Sequence, residues 1–178
     1  MRKILMIAVV AFLGIVTATA QDYKWFVGGE LGFWSGKEDG LKTTTYGIAP
    51  EIGYNVSDKF AVAISAGYQS FSEKYGNYKS SYEGFIINPY VRYTFLKSGI
   101  VSAFVDGGAT FGLSDFDGFE IGLKPGVAIA LTERFSVVAH IGFLGYNDGK
   151  GIGNSELGKG FGLDFSGYQA SFGFYYSF

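Results

Sequence analysis

Cysteine is absent from the 178 residues, proline occurs three times and histidine once. Without cysteine the chain has no disulfide, no thiolate metal site and no lipidation site of the kind that anchors a lipoprotein behind its leader. A single histidine with no cysteine cannot assemble a transition-metal site of the usual ligand set, so no metal and no cofactor is expected. Scarce proline excludes a proline-rich disordered tract. Beyond residue 20 no stretch approaches eighteen consecutive apolar residues, which excludes a membrane-spanning helix. An excess of basic charge is also missing. With Arg2 and Lys3 removed as part of a leader, 12 of the 14 basic residues face 16 acidic ones, a net charge of −4, and nucleic acid is an unsuitable partner.

The chain does contain 28 glycines, 19% aromatic and 48% hydrophobic residues, a composition of strand formers and small residues that points to an all-β protein. Its first twenty residues stand apart. Arg2 and Lys3 precede an apolar stretch from Ile4 to Val16, and Ala18-Thr19-Ala20 supplies the small-x-small pattern of a cleavage point. The thirteen apolar residues fall short of the ~20 that a spanning helix needs. The expectation is a signal peptide over 1–20 and one domain over 21–178, with the mature chain beginning at Gln21.

From there, period-two alternation recurs eight times. Strands are predicted near Lys24 to Trp34, Thr43 to Tyr54, Phe60 to Gln69, Gly84 to Phe95, Val101 to Phe111, Phe119 to Leu131, Phe135 to Leu144 and Ser166 to Phe178. Short polar turns (Asn55 to Lys59, Lys97 to Gly99, Thr132 to Arg134) alternate with longer stretches (Ser35 to Lys42, Ser70 to Glu83, Gly112 to Gly118, Gly145 to Phe165). Short turns on one rim and long loops on the other describe an eight-stranded antiparallel up-and-down β-barrel.

Successive residues of a strand point to opposite faces. One face carries residues such as Trp25, Val27, Tyr46, Ile52, Phe60, Ile64, Phe85, Val91, Phe119, Leu123, Phe135, Ile141, Phe143 and Phe174, and within the strands it holds no charge. The other collects the charges Glu30, Glu51, Arg92, Asp106, Glu120 and Lys124, along with His140 and many glycines. The large apolar set cannot fit inside eight strands, whose interior barely accommodates ordinary packing, so it faces outward. Its aromatics gather near strand ends and its aliphatics in the middles, the two-girdle pattern of a lipid-facing wall. A wall in lipid must close, because open sheet edges cannot be satisfied there. Pro50, Pro89 and Pro125 occupy equivalent places on three strands of one direction, and a shared bend or bulge is expected at them.

The hairpin segment Gly47-Ile48-Ala49-Pro50-Glu51-Ile52-Gly53-Tyr54, the strand Asn88-Pro89-Tyr90-Val91-Arg92-Tyr93, the run Leu123-Lys124-Pro125-Gly126 and the end Phe172-Gly173-Phe174-Tyr175-Tyr176-Ser177-Phe178, behind the leader, together resemble the small outer-membrane β-barrel family of the OmpA transmembrane domain and OmpX type. The resemblance implies a porin-like barrel in a Gram-negative type of cell envelope, in contact with outer-membrane lipid. It also implies that Phe174, Tyr176 and Phe178 form the signal read by the outer-membrane assembly machinery. The periplasmic peptidoglycan-binding domain of full-length OmpA-type proteins has no counterpart, so cell-wall tethering is not implied.

Three constellations bear on chemistry. Glu30, Glu51, Arg92, Asp106, Glu120, Lys124 and His140 are expected to form a lumen polar network, either structural or gating. Within it, Asp106 is predicted to pair with Lys124 across a hairpin, and Arg92 with Asp106 or Glu51. Members of this architecture that modify lipid A use His with Ser and a carboxylate, but no Ser stands two residues from His140, so no catalytic residue is assigned. Gly153-Asn154-Ser155-Glu156-Leu157-Gly158-Lys159 matches most of a phosphate-binding loop, yet Gly160 replaces the metal-binding Ser or Thr and no βαβ unit surrounds it. The stretches 70–83 and 145–165 are left as external loops able to meet a ligand or host surface. Tyr75, Tyr78 and Tyr82 supply aromatic anchors in the first of them. The functions consistent with all this are a structural and surface-interaction barrel, then a narrow gated pore, then a lipid A-modifying enzyme.

Overall fold

A computed structural model of the chain describes residues 24–38, 41–76, 78–114, 118–148, 159–165 and 171–178. The predicted leader and the glycine-rich stretch 149–158 lie outside the described residues. All regular structure in the described part is β: β1 Trp25–Glu38, β2 Leu41–Asn55, β3 Phe60–Tyr75, β4 Tyr78–Ser98, β5 Val101–Ser114, β6 Phe119–Ala130, β7 Phe135–His140, β8 Phe143–Asn147, β9 Gly160–Asp164 and β10 Ser171–Ser177. Each pairs antiparallel with its neighbours. β7 and β8 together form the seventh stave and β9 and β10 the eighth. The sheet closes into an eight-stave barrel where β5 meets β6 and β1 meets β10.

Two short turns share one construction. In Ser57-Asp58-Lys59-Phe60 the Phe60 N–H is held by Ser57 Oγ at 3.1 Å, and in Thr132-Glu133-Arg134-Phe135 the Phe135 N–H is held by Thr132 Oγ1 at 3.0 Å. A hydroxyl thus replaces a backbone acceptor and reverses the chain in four residues. The third short turn uses Gly99, whose φ of 57° suits a residue without a Cβ.

The expected faces are present. Val91 is 47% exposed and its neighbour Arg92 8%; Ile121 is 54% exposed and Glu120 1%. Outward rings meet in two belts, Trp25 with Tyr54 and Phe60 with Tyr93 near the short turns, and Tyr46 with Tyr68 and Phe85 toward the other rim. Tyr46 and Tyr54 are separated by about 26 Å along β2, on the scale of the ~25 Å apolar band of lipid-crossing barrels. The inner apolar core of Phe26, Ala61, Phe104, Val138 and Tyr175 occupies the lumen toward the short turns. Phe26 lies opposite Gly53 and Phe104 opposite Gly126. A Cβ built on Gly126 meets Phe104 Cζ at 2.5 Å, so each ring covers a glycine that has no room for a side chain.

Three expectations are corrected. The stretches 35–42 and 70–83 are not loops for most of their length: the β1–β2 ladder continues to Glu38↔Leu41 and the β3–β4 ladder to Tyr75↔Tyr78. Polar side chains on both faces had hidden this, because a strand with no face to keep apolar loses the alternation that marks it. The stretch 145–165 is not all loop: β9 falls within it, whereas the expected start of the last strand at Ser166 lies outside the described residues.

The third correction concerns Phe143. The β6 ladder runs Gly126↔His140 with β7 and resumes at Leu123↔Leu144 with β8, a shift of one residue. Pro125, whose carbonyl accepts from Ile141 N–H at 3.0 Å, offers no N–H of its own, and the extra residue forms a bulge. A one-residue slip exchanges faces, so Ile141 stays outward at 48% exposed while Phe143 turns inward at 3%. Pro50 and Pro89 also interrupt the ladder to the following strand, but without a register change. The shared feature is a lapse in pairing, and only Pro125 carries a bulge.

Candidate functional site

The barrel interior brings together the seven polar residues expected there, in two layers. The lower layer is centred on Arg92 of β4. Its Nε donates to Asp106 Oδ1 at 2.7 Å and its Nη2 to Asp106 Oδ2 at 2.7 Å, a bidentate pair across the β4–β5 ladder. Nη2 also lies 3.0 Å from the Tyr175 hydroxyl, and the guanidinium stacks 3.8 Å from the Phe104 ring centroid. Planar, weakly hydrated and multiply donating, an arginine suits such a buried position better than a lysine. Glu51 is reached through Tyr90, whose hydroxyl donates to Glu51 Oε1 at 2.6 Å; the expected direct Arg92–Glu51 pair is not formed.

His140 of β7 completes the layer, with Nε2 2.8 Å from Asp106 Oδ2 and Nδ1 3.1 Å from Glu30 Oε1. Ser171 of β10, paired with His140 in the ladder, donates to the same Glu30 oxygen at 2.8 Å. The ladder therefore supplies the serine that the local sequence lacks, 3.5 Å from His140 Nδ1. The three residue types are those of a hydrolytic triad, but both ring nitrogens face carboxylate oxygens. Each nitrogen is already engaged by a carboxylate, so neither is directed at a serine proton.

The upper layer is centred on Glu120 of β6. Lys124 Nζ meets Glu120 Oε1 at 2.7 Å, Thr110 Oγ1 donates to that oxygen at 3.3 Å, and Asn88 Nδ2 donates to Thr110 Oγ1 at 3.0 Å. Asp106 and Lys124 do face each other in the β5–β6 register, but the expected pair between them is not made. The bidentate guanidinium engages both Asp106 oxygens, and Lys124 reaches along its own strand to Glu120 instead.

Two cavities flank the lower layer. The larger, of about 390 Å³, is lined by Glu30, Glu51, Asp106, Glu120, Lys124 and His140 among others, and the smaller, of about 130 Å³, lies against Arg92, Phe104, Tyr175 and Phe26 on the short-turn side. The cluster joining Arg92, Asp106, His140 and Glu51 stands between them.

Sequence reasoning missed Tyr90, Phe104, Tyr175, Asn88, Thr110 and Ser171. Parity had the signal for all six: Tyr90 and Phe104 stand two residues before Arg92 and Asp106, Asn88 and Thr110 lie on the same inward faces, and Ser171 and Tyr175 alternate with outward Phe172 and Phe174. That Ser171 meets His140 required the ladder.

The residues proposed as an assembly signal lie in the closing seam. Phe174 pairs with Gly29 and Tyr176 with Val27, while Phe178 N–H donates to Trp25 O at 2.8 Å. Phe174 also stacks on Phe135 with centroids 5.8 Å apart.

One comparison with known proteins identifies this architecture: a family profile described as "Outer membrane protein beta-barrel domain" matches residues 6–178. No curated protein matches the chain.

Proposed function

The chain belongs to the outer membrane protein β-barrel domain family, and from that premise we propose that it is a structural and surface-interaction protein of the outer membrane, exported behind a leader cleaved before Gln21 and received by the outer-membrane assembly machinery. The observation that carries this reading is the height of one half of the barrel. A strand crosses a membrane in about 9–11 residues, whereas β3 has 16 and β4 has 21. The surplus of β1, β2, β3 and β4 stays paired, out to Leu41↔Tyr75 between the two hairpins. Facing outward, it forms a four-stranded sheet standing above the bilayer.

Beyond Gly84, β4 pairs with β3 alone among the described residues, its described ladder to β5 beginning at Gly84↔Ser114. The segment from Tyr78 to Glu83 is therefore an edge that another chain can extend by strand addition. Tyr75, Tyr78 and Tyr82, at 61%, 84% and 52% exposed, supply aromatic anchors beside it. Deletion of residues 73–81 tests the reading. Adherence of cells displaying the barrel to external surfaces should fall while the barrel keeps its heat-dependent shift in electrophoretic mobility; undiminished adherence would remove the sheet from the function.

A second reading, a narrow gated pore, is favoured by the two lumenal cavities with a single ion-paired cluster between them. Bilayer conductance of Arg92→Ala and Lys124→Ala separates it from the first, since a gate must leak when its pair is cut. A lipid A-modifying activity draws no support from the imidazole, which is turned toward two carboxylates; mass spectrometry of lipopolysaccharide incubated with the folded barrel tests it directly.

A further inference from the structure

We propose that the larger lumenal cavity is a binding site for a small organic cation, one with an ammonium head and a short apolar body. The inference goes beyond the surface reading and does not depend on what the protruding sheet contacts. Its volume of about 390 Å³ lies in the range of small-molecule sites, ~300–1,000 Å³, although eight staves ordinarily leave little more than packing space.

Charge chooses the ligand class. Four carboxylates line the cavity, those of Glu30, Glu51, Asp106 and Glu120. Arg92 engages Asp106 from below, Lys124 engages Glu120, and His140 bridges Asp106 and Glu30. Glu51 is 7% exposed and joins none of the described ion pairs; its partner is the Tyr90 hydroxyl. Arg92 reaches it only through that hydroxyl; a buried carboxylate with no cation in direct contact is costly, and here it faces a space large enough to admit one. A second observation is independent of the charge. Glu120, 1% exposed, uses only Oε1 for its contacts, and its Oε2, like Asn88 Oδ1 in the same wall, is a buried acceptor with no hydrogen-bond partner. Such acceptors call for a donor.

A bare metal ion fits poorly. Among the described residues no three His, Asp or Glu side chains converge as ligands, and the open acceptors sit on β4 and β6 while Glu51 is on β2. An ammonium head carries three N–H donors on one nitrogen and needs no complete ligand shell from the protein, and Ala49, Ile86 and Phe143 provide apolar wall for its body.

The test uses the purified, folded chain in detergent micelles at low salt, with n-butylammonium as probe and n-butanol as the uncharged isostere, read by the NMR methyl resonances of Ala49 and Ile86. Saturable shifts with butylammonium and none with butanol are expected. Glu51→Gln should weaken the binding by about tenfold, the scale of one charge-assisted hydrogen bond. If that variant does not fold, Asn88→Ala serves in its place and should weaken binding in the same direction. Equal responses to the two probes, no saturation, or unchanged affinity in the folded variant would overturn the proposal and leave the cavity a water-filled space.

Discussion

Arg92 illustrates how one residue can organise a membrane-enclosed interior. Its guanidinium satisfies both Asp106 oxygens, touches the Tyr175 hydroxyl and sits over the Phe104 ring. Removing Arg92 leaves the buried Asp106 with His140 as its remaining described ion-pair partner. Arg92→Ala is therefore expected to lower stability by about 3–5 kcal/mol, read as a shift in the urea midpoint of the barrel in lipid vesicles with Trp25 fluorescence as probe. The double replacement Arg92→Met with Asp106→Leu should be less harmful than the single one, because both members of the pair go together and His140 keeps its contact to Glu30. Gly126→Ala presents a different cost. Its Cβ would lie 2.5 Å from Phe104 Cζ and 2.7 Å from the Ala139 carbonyl oxygen. Overpacking of this kind typically costs about 1–3 kcal/mol, and the same urea titration should record it. Shortening Phe104 to Leu in the same chain should recover part of the loss.

At the scale of elements, the break between β7 and β8 is the informative feature. It is one extra residue beside Pro125, and it decides which half of the seventh stave shows which face. Because the chain has no native cysteine, single cysteines report their own position. A thiol reagent confined to the bilayer interior is expected to modify Ile141→Cys and Leu144→Cys and to spare Phe143→Cys. Modification at 143 in place of 144 would mean that the stave runs through without a bulge. The protruding hairpins belong to this scale as well: strong alternation marks a strand where lipid lies on one side, and above the bilayer that contrast is gone, so the outer thirds of β3 and β4 read as loop.

For the whole molecule, closure is the central property. β10 seals the barrel by pairing with β1 through Phe26↔Ser177 to Glu30↔Gly173, and every stave in the bilayer then finds partners for its backbone. The folded chain is expected to migrate in detergent electrophoresis at a position that shifts on boiling and to stay with the outer-membrane fraction. Single-channel recording of the wild-type barrel should show no resolved conductance, as expected for a lumen crossed by the Arg92 cluster. Discrete steps that grow in Arg92→Ala would instead favour the gated pore.

Much of this was legible from residue order. Alternation, an uncharged outward face and turn chemistry determined the barrel, its strand directions and the inward placement of Glu30, Glu51, Arg92, Asp106, Glu120, Lys124 and His140, since a period of two assigns faces without knowledge of neighbours. Arg92 with Asp106 was one of the pairs the hairpin order offered, but the rest of the partner choice within the lumen was decided by tertiary structure. His140 meets Glu30 across 110 positions of sequence and Ser171 across 31, and Lys124 turns from Asp106 to Glu120 because a guanidinium from the adjacent strand already engages the aspartate. Closing a sheet makes distant staves neighbours and brings side chains together across an axis, and no local pattern in the chain encodes which of them meet.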